Sequence, residues 1–330
     1  MNSIEPMMRI ENLKVSFTHG QLKAFALRGI NLSFYSNEIH GLVGESGSGK
    51  TVTSTCIMGL LPSPPARIDS GRILYDGKDL LQLSEPEMRT YRGRKIAMIF
   101  QEPAKYLNPA FKIGEQITEM VKLHLRMGNR AAIERAKELL GLVGLGKDER
   151  VLDSFPHELS GGMKQRAMIA IAISCNPDFL IADEPTTALD VTLQLQILRL
   201  LKKLQSLQKM SVLFISHDLG IVYEIADKVS VIYAGRIVES AEKEILFKNS
   251  LHPYTKLLFL SSPNAKRKGK RLPTIPGQVL DATEVPVGCS FAPRCPLARE
   301  RCYREDPELI AYDEGHMVAC HFARESWVIS

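Results

Sequence analysis

The sequence predicts an α/β fold with a parallel-sheet core, and three observations support this. Short apolar runs alternate with longer segments of helical periodicity, the order typical of parallel strands joined by helices. A glycine-rich segment at residues 44–51 joins one apolar run to a helical pattern. The chain has 330 residues, 45% of them hydrophobic and 24% charged, which suits one large globular domain and a smaller one.

The N-terminal part predicts strands of antiparallel character. Residues 9–17 predict an edge strand with alternating apolar side chains, and residues 27–34 predict a second strand. Residues 39–43 are a short apolar run, which predicts a buried strand leading into the glycine-rich segment. Residues 51–61 predict a helix that is broken by the prolines that begin at Pro62.

The middle of the chain predicts an insertion into the core. Residues 95–100 predict a strand, and residues from about 103 to 175, including 129–143, have a mostly helical pattern. The next buried strand is predicted at 179–182, so the helical stretch lies between two core strands. An amphipathic helix is predicted at 191–208.

The end of the core and the tail differ in composition. Residues 212–215 predict another buried strand, and residues 229–233 and 236–239 flank Ala234-Gly235, which predicts a hairpin turn. Beyond about residue 240 the tail is predicted to be poor in long helices, because prolines recur at positions 253, 263, 273, 276, 286, 293, 296 and 307.

Charge and hydropathy exclude several classes of protein. The formal net charge of +5 is mild for this length, so we expect no nucleic-acid partner. The first residues lack the pattern of a signal peptide, and the longest mostly apolar stretch, near 167–173, is far shorter than the ~20 residues that span a bilayer. One basic run, Lys266-Arg267-Lys268-Gly269-Lys270-Arg271, fits either a solvated linker or a contact with anionic lipid headgroups.

The glycine-rich segment fits the phosphate-binding pattern Gly-x4-Gly-Lys-Thr. Backbone N–H groups of such a loop, together with the following helix N-terminus, bind a polyphosphate. Lys50 can reach the β- and γ-phosphates, and the Thr51 hydroxyl can ligate Mg²⁺. An ordinary glycine-rich turn is the alternative. The predicted nucleotide-binding residues here are Gly44, Glu45, Ser46, Gly47, Ser48, Gly49, Lys50 and Thr51.

A second glycine motif, Ser160-Gly161-Gly162, lies before a helix that is predicted to start near Lys164. A helix N-terminus with a serine hydroxyl and two glycines is also an anion site. Because the first loop already holds one set of phosphates, this second site is expected to serve another ATP.

These motifs, with Asp183-Glu184 at the end of an apolar strand, resemble the ATP-binding cassette (ABC) family of ATPases. The resemblance implies a P-loop NTPase cassette at about 1–240, with an antiparallel β subdomain and an inserted helical subdomain at about 103–175. It also implies a head-to-tail dimer, in which each ATP lies between one glycine-rich loop and the partner's Ser160-Gly161-Gly162. Met163 departs from the family, where glutamine is commonest.

The same resemblance implies roles for individual side chains. Asp183 would hold Mg²⁺ through water, Glu184 would orient or deprotonate the attacking water, and Gln101 would reach both. His217 would contact the γ-phosphate, and Asp190 belongs to a loop that crosses the dimer seam. Without the other motifs, the Asp-Glu pair would be a helix cap and a solvated charge, and His217 a surface residue. An aromatic residue usually stacks on adenine where Phe17 stands, although Phe17 also fits a plain core position.

Four of the six cysteines are in the tail, at Cys289, Cys295, Cys302 and Cys320. Cys56 and Cys175 lie in apolar helical patterns and are expected to be packing residues. We expect thiols rather than disulfides, because a protein that uses ATP and has no signal peptide works in a reducing compartment. Four clustered thiols suit a [4Fe–4S] cluster, while the absence of a C-x2–4-C knuckle disfavours the alternative, zinc.

The tail sharpens the resemblance. Leu251-His252-Pro253-Tyr254-Thr255 looks like the His-Pro-Tyr-Thr motif of dipeptide and oligopeptide importer ATPases, and the cysteine-rich end looks like their C-terminal extension, here about 241–330. The match is nearest the D-type subunit of bacterial dipeptide importers. In that branch the four cysteines can hold an iron–sulfur cluster. Nickel and other small-solute importers share the tail.

The resemblance implies partners and a location. Such importers pair two different ATPase subunits beneath two transmembrane permease subunits, supplied by an external peptide-binding protein. The chain would then lie peripherally at the cytoplasmic face of the bacterial inner membrane. The rivals are a soluble ABC ATPase of DNA repair, chromosome dynamics or translation, and a redox or metal sensor whose cassette serves regulation.

Overall fold

The computed structural model describes residues 5–146, 149–187, 189–261, 274–323 and 325. The strands, in chain order, are β1 (Met8–His19), β2 (Leu22–Phe34), β3 (Ile39–Val43), β4 (Ala66–Tyr75), β5 (Lys78–Asp79), β6 (Ile96–Ile99), β7 (Phe179–Asp183), β8 (Ser211–Ser216), β9 (Lys228–Tyr233), β10 (Arg236–Glu242), β11 (Ile310–Asp313) and β12 (His316–Val318).

The α-helices follow the same order: α1 (Lys50–Ile57), α2 (Glu85–Tyr91), α3 (Pro103–Tyr106), α4 (Ile113–Leu125), α5 (Asn129–Leu142), α6 (Glu149–Asp153), α7 (Gly161–Ala172), α8 (Val191–Gln208), α9 (Leu219–Ile225), α10 (Lys243–Lys248), α11 (Pro253–Leu260) and α12 (Glu300–Arg304). The chain divides into two compact units. The first comprises residues 1–35, 39–81 and 216–330, and the second comprises 36–38 and 82–215.

The first unit contains an antiparallel sheet of order β2-β1-β4-β5. β1 pairs with β2 on one side and β4 on the other, with Phe17 opposite both Ala24 and Ala66. The prediction of β1 as an edge strand is therefore wrong. The strand that covers its edge, β4, has the sequence ARIDSGRILY, whose polar residues hide the apolar alternation that marks a strand.

The other strands of the first unit run β11-β12-β10-β9-β3. β3 and β9 are parallel, as predicted for the core, and β9 and β10 form the predicted hairpin through Ala234-Gly235. Gly235 has φ 76°, and a Cβ atom there would lie 2.6 Å from the Ala26 carbonyl oxygen, so only glycine fits this turn. The tail adds β12 and β11 to this sheet, which the proline-rich sequence did not predict.

The second unit contains three parallel strands in the order β8-β7-β6. All residues of β7 and β8 are buried, which explains their continuous apolar sequence. Helices α3 to α7 lie in the chain between β6 and β7, which are neighbouring parallel strands.

Helix α1 is shorter than predicted. It ends at Ile57 rather than near Leu61, because the Gly59 and Leu60 N–H groups turn back to the carbonyls of Cys56 and Thr55. The basic run at 266–271, Pro263, Pro273 and Ala188 lie outside the described residues. Within the described ranges, none of the helices combines the length and the apolar character needed to cross a bilayer.

Candidate functional site

The glycine-rich loop lies where the sequence predicted it, between buried β3 and α1. Gly44 follows the last residue of β3, and a Cβ atom there would lie 2.2 Å from the Ile232 carbonyl oxygen of β9. The loop therefore begins pressed against a neighbouring strand, and its remaining residues turn into α1, whose first residue is Lys50.

Lys50 is buried and folds back over the loop. Its Nζ atom donates to the carbonyl oxygens of Gly44 at 2.8 Å and Glu45 at 2.9 Å. Thr51, in the first turn of α1, is exposed. The Ser48 hydroxyl is buried without a hydrogen-bond partner among the described residues. The loop thus presents an ammonium group and a hydroxyl at a helix N-terminus, a chemistry that suits phosphate and Mg²⁺.

Glu45 is held by two residues of the C-terminal tail. Its backbone N–H donates to the Tyr254 hydroxyl at 3.0 Å, and its carboxylate accepts two bonds from the Arg294 guanidinium, at 2.7 and 3.0 Å. The Glu45 partnership pulls the pKa of Arg294 upward. Neither contact was predicted, since nothing local in the sequence pairs residues 209 and 249 positions apart.

The acidic pair of the second unit, Asp183 and Glu184, lies at the carboxyl end of β7, and Gln101 lies just beyond the neighbouring strand β6. Asp183 is the last residue of β7 and is buried. Glu184 follows with φ 45°, and its Oε2 atom accepts bonds from Gln101 Nε2 at 3.0 Å and Thr187 Oγ1 at 2.9 Å. Because Ile99 pairs with Ala182 in parallel register, Gln101 and Glu184 occupy equivalent positions beyond the two strands. The structure therefore brings Gln101 and Glu184 together.

The Ser160 motif begins α7. Ser160 is the N-cap residue, and its hydroxyl accepts from the Met163 N–H at 3.4 Å. The helix starts at Gly161, so the predicted start near Lys164 is wrong: N-capping by serine outweighs the low helix propensity of two glycines. Gly161 is exposed, and Gly162 packs against Leu193. Ser160 and Gly161 are thus exposed at the start of this twelve-residue helix, while Gly162 is buried.

Asp190, His217 and Phe17 lie on three different secondary-structure elements. Asp190 is the N-cap of α8, where Oδ1 accepts from the Leu193 N–H at 3.0 Å. His217 is exposed immediately after β8. Phe17 is half-buried within β1.

The four tail cysteines line one cavity. Cys289, Cys295, Cys302 and Cys320 are among the residues that line one pocket, which is partly open to solvent. Burial raises the pKa of Cys295 to about 12 and that of Cys320 to about 11, while backbone N–H groups two residues further on, at Leu297 and Phe322, bond the two sulfurs and oppose this rise. Across the described ranges, no three His, Cys, Asp or Glu side chains are arranged to hold a single metal ion.

Cys56 and Cys175 are buried, as expected of packing residues. Burial raises the pKa of the Cys56 thiol to about 12 and also raises that of Cys175. Both side chains therefore stay neutral and behave as small apolar groups.

The strand, glycine-rich loop and helix, together with a capped Ser-Gly-Gly helix and an acidic pair after a parallel strand, define a P-loop ATPase of the cassette class. The ABC transporter family model matches residues 27–187, and the model for the oligopeptide/dipeptide transporter C-terminal region matches residues 238–302. The chain belongs to the ABC transporter ATP-binding proteins that carry this C-terminal region, and it is an ATPase of that family.

Curated relatives match nearly end to end. A probable peptide ABC transporter ATP-binding protein of Sinorhizobium fredii is 47% identical over 97% of this chain and 96% of its own length. The oligopeptide transport ATP-binding protein AppD of Bacillus subtilis is 46% identical over 97% of both chains. The dipeptide transport ATP-binding protein DppD of Bacillus subtilis is 45% identical over 96% of this chain and 95% of its own.

Solved structures show the same cassette fold. The dimeric post-hydrolysis state of the ATP-binding cassette MJ0796, bound to ADP and Pi, is 28% identical. It matches with a TM-score of 0.65 over 72% of this chain and 99% of that one. CbiO1 from Clostridium perfringens, part of the ABC transporter complex cbiONQ, is 26% identical with a TM-score of 0.63 over 74% and 91% of the two chains.

Proposed function

We propose that this chain is the ATP-hydrolysing subunit that powers import of dipeptides or oligopeptides through a membrane ABC transporter. The proposal that the cargo is a peptide rests on the match of residues 238–302 to the oligopeptide/dipeptide transporter C-terminal region. Relatives named for oligopeptide and dipeptide transport support it along their full length. Nickel or another small solute is the alternative cargo.

In the first unit, we assign nucleotide binding to the glycine-rich loop. Lys50 leaves the Gly44 and Glu45 carbonyls to contact the β- and γ-phosphates, and the exposed Thr51 hydroxyl becomes a ligand of Mg²⁺. His217 contacts the γ-phosphate, and Phe17 stacks on adenine. Mg²⁺ supplies charge neutralisation on the phosphates, and the hydroxyl, carboxylate and amide oxygens proposed to hold it are the hard ligands it prefers.

In the second unit, we assign water activation to Glu184. Two donors, Gln101 and Thr187, converge on one oxygen and orient the carboxylate, and Glu184 is proposed to orient or deprotonate the attacking water. Buried Asp183 is proposed to hold Mg²⁺ through water. Gln101 is proposed to contact the metal and the attacking water and to transmit movement to the membrane permease subunit.

We further propose a head-to-tail pair of cassettes. The N-terminus of α7, with Ser160, Gly161 and Gly162, completes the ATP site of a partner cassette, and Asp190 lies at the seam. The dimeric relative with bound ADP and Pi supports such pairing. The partner is a second, different ATPase subunit. Two permease subunits and an external peptide-binding protein complete the importer, which places this chain at the cytoplasmic face of the membrane.

The domain organisation is also a proposal. The cassette covers about 1–240, with the antiparallel sheet and the helical segment at about 103–175 as subdomains. Residues 241–330 form the extension. Its four cysteines are proposed to ligate a [4Fe–4S] cluster. The fit rests on four thiols around one cavity, with N–H groups aimed at Cys295 and Cys320.

A cluster suits this cavity better than zinc does. The four cysteines lack the C-x2–4-C knuckle of structural zinc sites, and four thiolates are ligands that would suit a [4Fe–4S] cluster. Anaerobically purified protein should contain iron and labile sulfide with broad visible absorption. Stoichiometric zinc without iron would reject the cluster.

The import function is tested in the assembled complex. The chain is reconstituted in vesicles with its permeases, its second ATPase subunit and the binding protein, and uptake of labelled dipeptides, longer peptides and Ni²⁺ is measured with and without ATP. We expect ATP-dependent peptide uptake. Uptake of Ni²⁺ alone would establish the alternative cargo, and ATP hydrolysis that never responds to binding protein or permeases would reject the importer assignment.

A further inference from the structure

Glu45 places a carboxylate inside a loop that binds an anion. The loop's other groups favour phosphate: the N-terminus of α1 and the Lys50 ammonium both attract negative charge. An uncompensated carboxylate at the second position of this loop would repel the triphosphate. The loop therefore needs a cation that neutralises Glu45 without occupying the phosphate site.

Arg294 meets this requirement. Its guanidinium forms a bidentate pair with the Glu45 carboxylate, and its side chain is only 4% exposed. Arg294 Nε donates to the Pro276 carbonyl at 2.9 Å, and its Cζ atom lies 5.8 Å from the centre of the Tyr233 ring. Because Glu45, Pro276 and Tyr233 all contact the guanidinium, it has little freedom to turn toward the phosphates. Its positive charge therefore remains paired with the Glu45 carboxylate.

The Glu45 backbone is held as well. Its N–H donates to the Tyr254 hydroxyl, while its carbonyl oxygen accepts from Lys50 Nζ at 2.9 Å and from the Ser48 N–H at 3.2 Å. Tyr254 is fully buried, and its ring lies 4.7 Å from that of Tyr233. The peptide at Glu45 is thus fixed by an aromatic side chain from α11.

We propose that Arg294 and Tyr254 are positioning residues for ATP binding. Arg294 neutralises the Glu45 carboxylate, Tyr254 orients the Glu45 peptide, and the C-terminal extension so holds the phosphate-binding loop in the shape that accepts a triphosphate. Neither residue touches the nucleotide. The inference rests on the proposed role of the loop in ATP binding.

The test is a double-mutant cycle in the full-length chain, read as the Kd for MgATP by titration calorimetry and as KM and kcat in the assembled complex. Arg294→Met should raise the Kd and KM for ATP about tenfold with kcat little changed, because Glu45 is then an unpaired anion beside the phosphates. Arg294→Met combined with Glu45→Gln should recover most of the affinity. Arg299→Met, which removes an exposed arginine of the same extension, is the matched control and should match wild type.

Tyr254→Phe tests the second contact with the loss of one oxygen atom, and it covers the case in which Arg294→Met does not fold. It should raise the Kd for MgATP about fivefold, because the Glu45 N–H loses its acceptor. Tyr303→Phe, in an exposed tyrosine of the extension, is its control. Arg294→Lys should bind MgATP more tightly than Arg294→Met but less tightly than wild type, because lysine supplies the charge without the bidentate geometry.

The outcomes separate the two proposals. A wild-type chain that binds no MgATP would reject the proposed function itself. Wild-type binding with an unchanged Kd in both folded Arg294→Met and Tyr254→Phe would overturn only the positioning role. Loss of affinity in Arg294→Met that Glu45→Gln does not relieve would overturn the charge argument.

Discussion

Glu239 is a fully buried residue whose carboxylate binds the start of α11, the helix that contains Pro253 and Tyr254. Replacing Glu239 should therefore destabilise that helix. The carboxylate accepts three bonds: from the Leu251 N–H at 2.6 Å, the His252 N–H at 3.1 Å and His316 Nε2 at 2.8 Å. The side chains of Glu239 and His316 are 0% and 2% exposed. Glu239→Leu keeps the bulk of the side chain but leaves all three donors unsatisfied away from water.

The expected cost follows from those three bonds. Each buried donor without an acceptor costs about 1–3 kcal/mol, so three cost about 5 kcal/mol. Relief of the desolvation penalty of the buried carboxylate offsets part of this cost; because removing one partner of a buried pair costs about 3–5 kcal/mol, we expect a net loss near 4 kcal/mol. Glu239→Gln, which keeps one acceptor oxygen, should lose about half as much. Because α11 carries Tyr254, both variants should also weaken MgATP binding.

The assay is urea unfolding of the full-length chain, combined with hydrogen exchange of the peptide that spans residues 251–260. We expect the largest increase in exchange at those amides, where the anchor is lost. Glu242→Leu is the control, because Glu242 is exposed at the end of the same strand. The reasoning is refuted if Glu239→Leu stays within about 0.5 kcal/mol of wild type, the range of ordinary surface substitutions.

Three further predictions test the site and the fold. Glu184→Gln should trap ATP and lower kcat of the assembled complex by at least about a hundredfold, as expected for a general base, while Glu134→Gln, on the exposed face of α5, should hydrolyse ATP normally. Ser160→Ala should cost about 1 kcal/mol of stability, similar to Ser84→Ala at the N-cap of α2, but only Ser160→Ala should reduce ATP-driven dimerisation in gel filtration; equal dimerisation would argue against the shared site. Gly235→Ala should lower the thermal midpoint by several degrees, because a Cβ atom would lie 2.6 Å from the Ala26 carbonyl, and an unchanged midpoint would contradict this.

The local sequence pattern was sufficient to predict the bounds of an element when both of its faces are buried or when its ends carry strong helix caps. β3 matches its prediction because all five of its residues are buried and a glycine-rich loop follows. α8 matches at both ends because Asp190 caps its first turn, and Lys209 adopts a left-handed conformation after the last. In these segments, backbone propensity and burial favour the same structure.

The local sequence pattern did not predict a strand's place in its sheet when that place depends on pairing with a strand distant in the sequence. β1 carries the alternation of an edge strand, but β4, about sixty residues later, covers its open side. β11 and β12 are too short to be detected: β12 forms because the edge of β10 offers it hydrogen bonds, and β11 pairs in turn with β12. Strand neighbours are set by contacts between segments, which periodicity within one segment does not encode.

The sequence by itself determined that this chain binds ATP and which importer branch it resembles, because loop chemistry depends on residues that are adjacent in the chain. Gly44 to Thr51, Ser160 to Gly162 and Asp183-Glu184 each carry their chemistry locally. Only the tertiary structure decided that Tyr254 and Arg294, 209 and 249 positions beyond Glu45, hold the glycine-rich loop. A hydrogen bond forms between atoms about 3 Å apart in space, so it depends on how the folded extension packs and not on the distance along the chain.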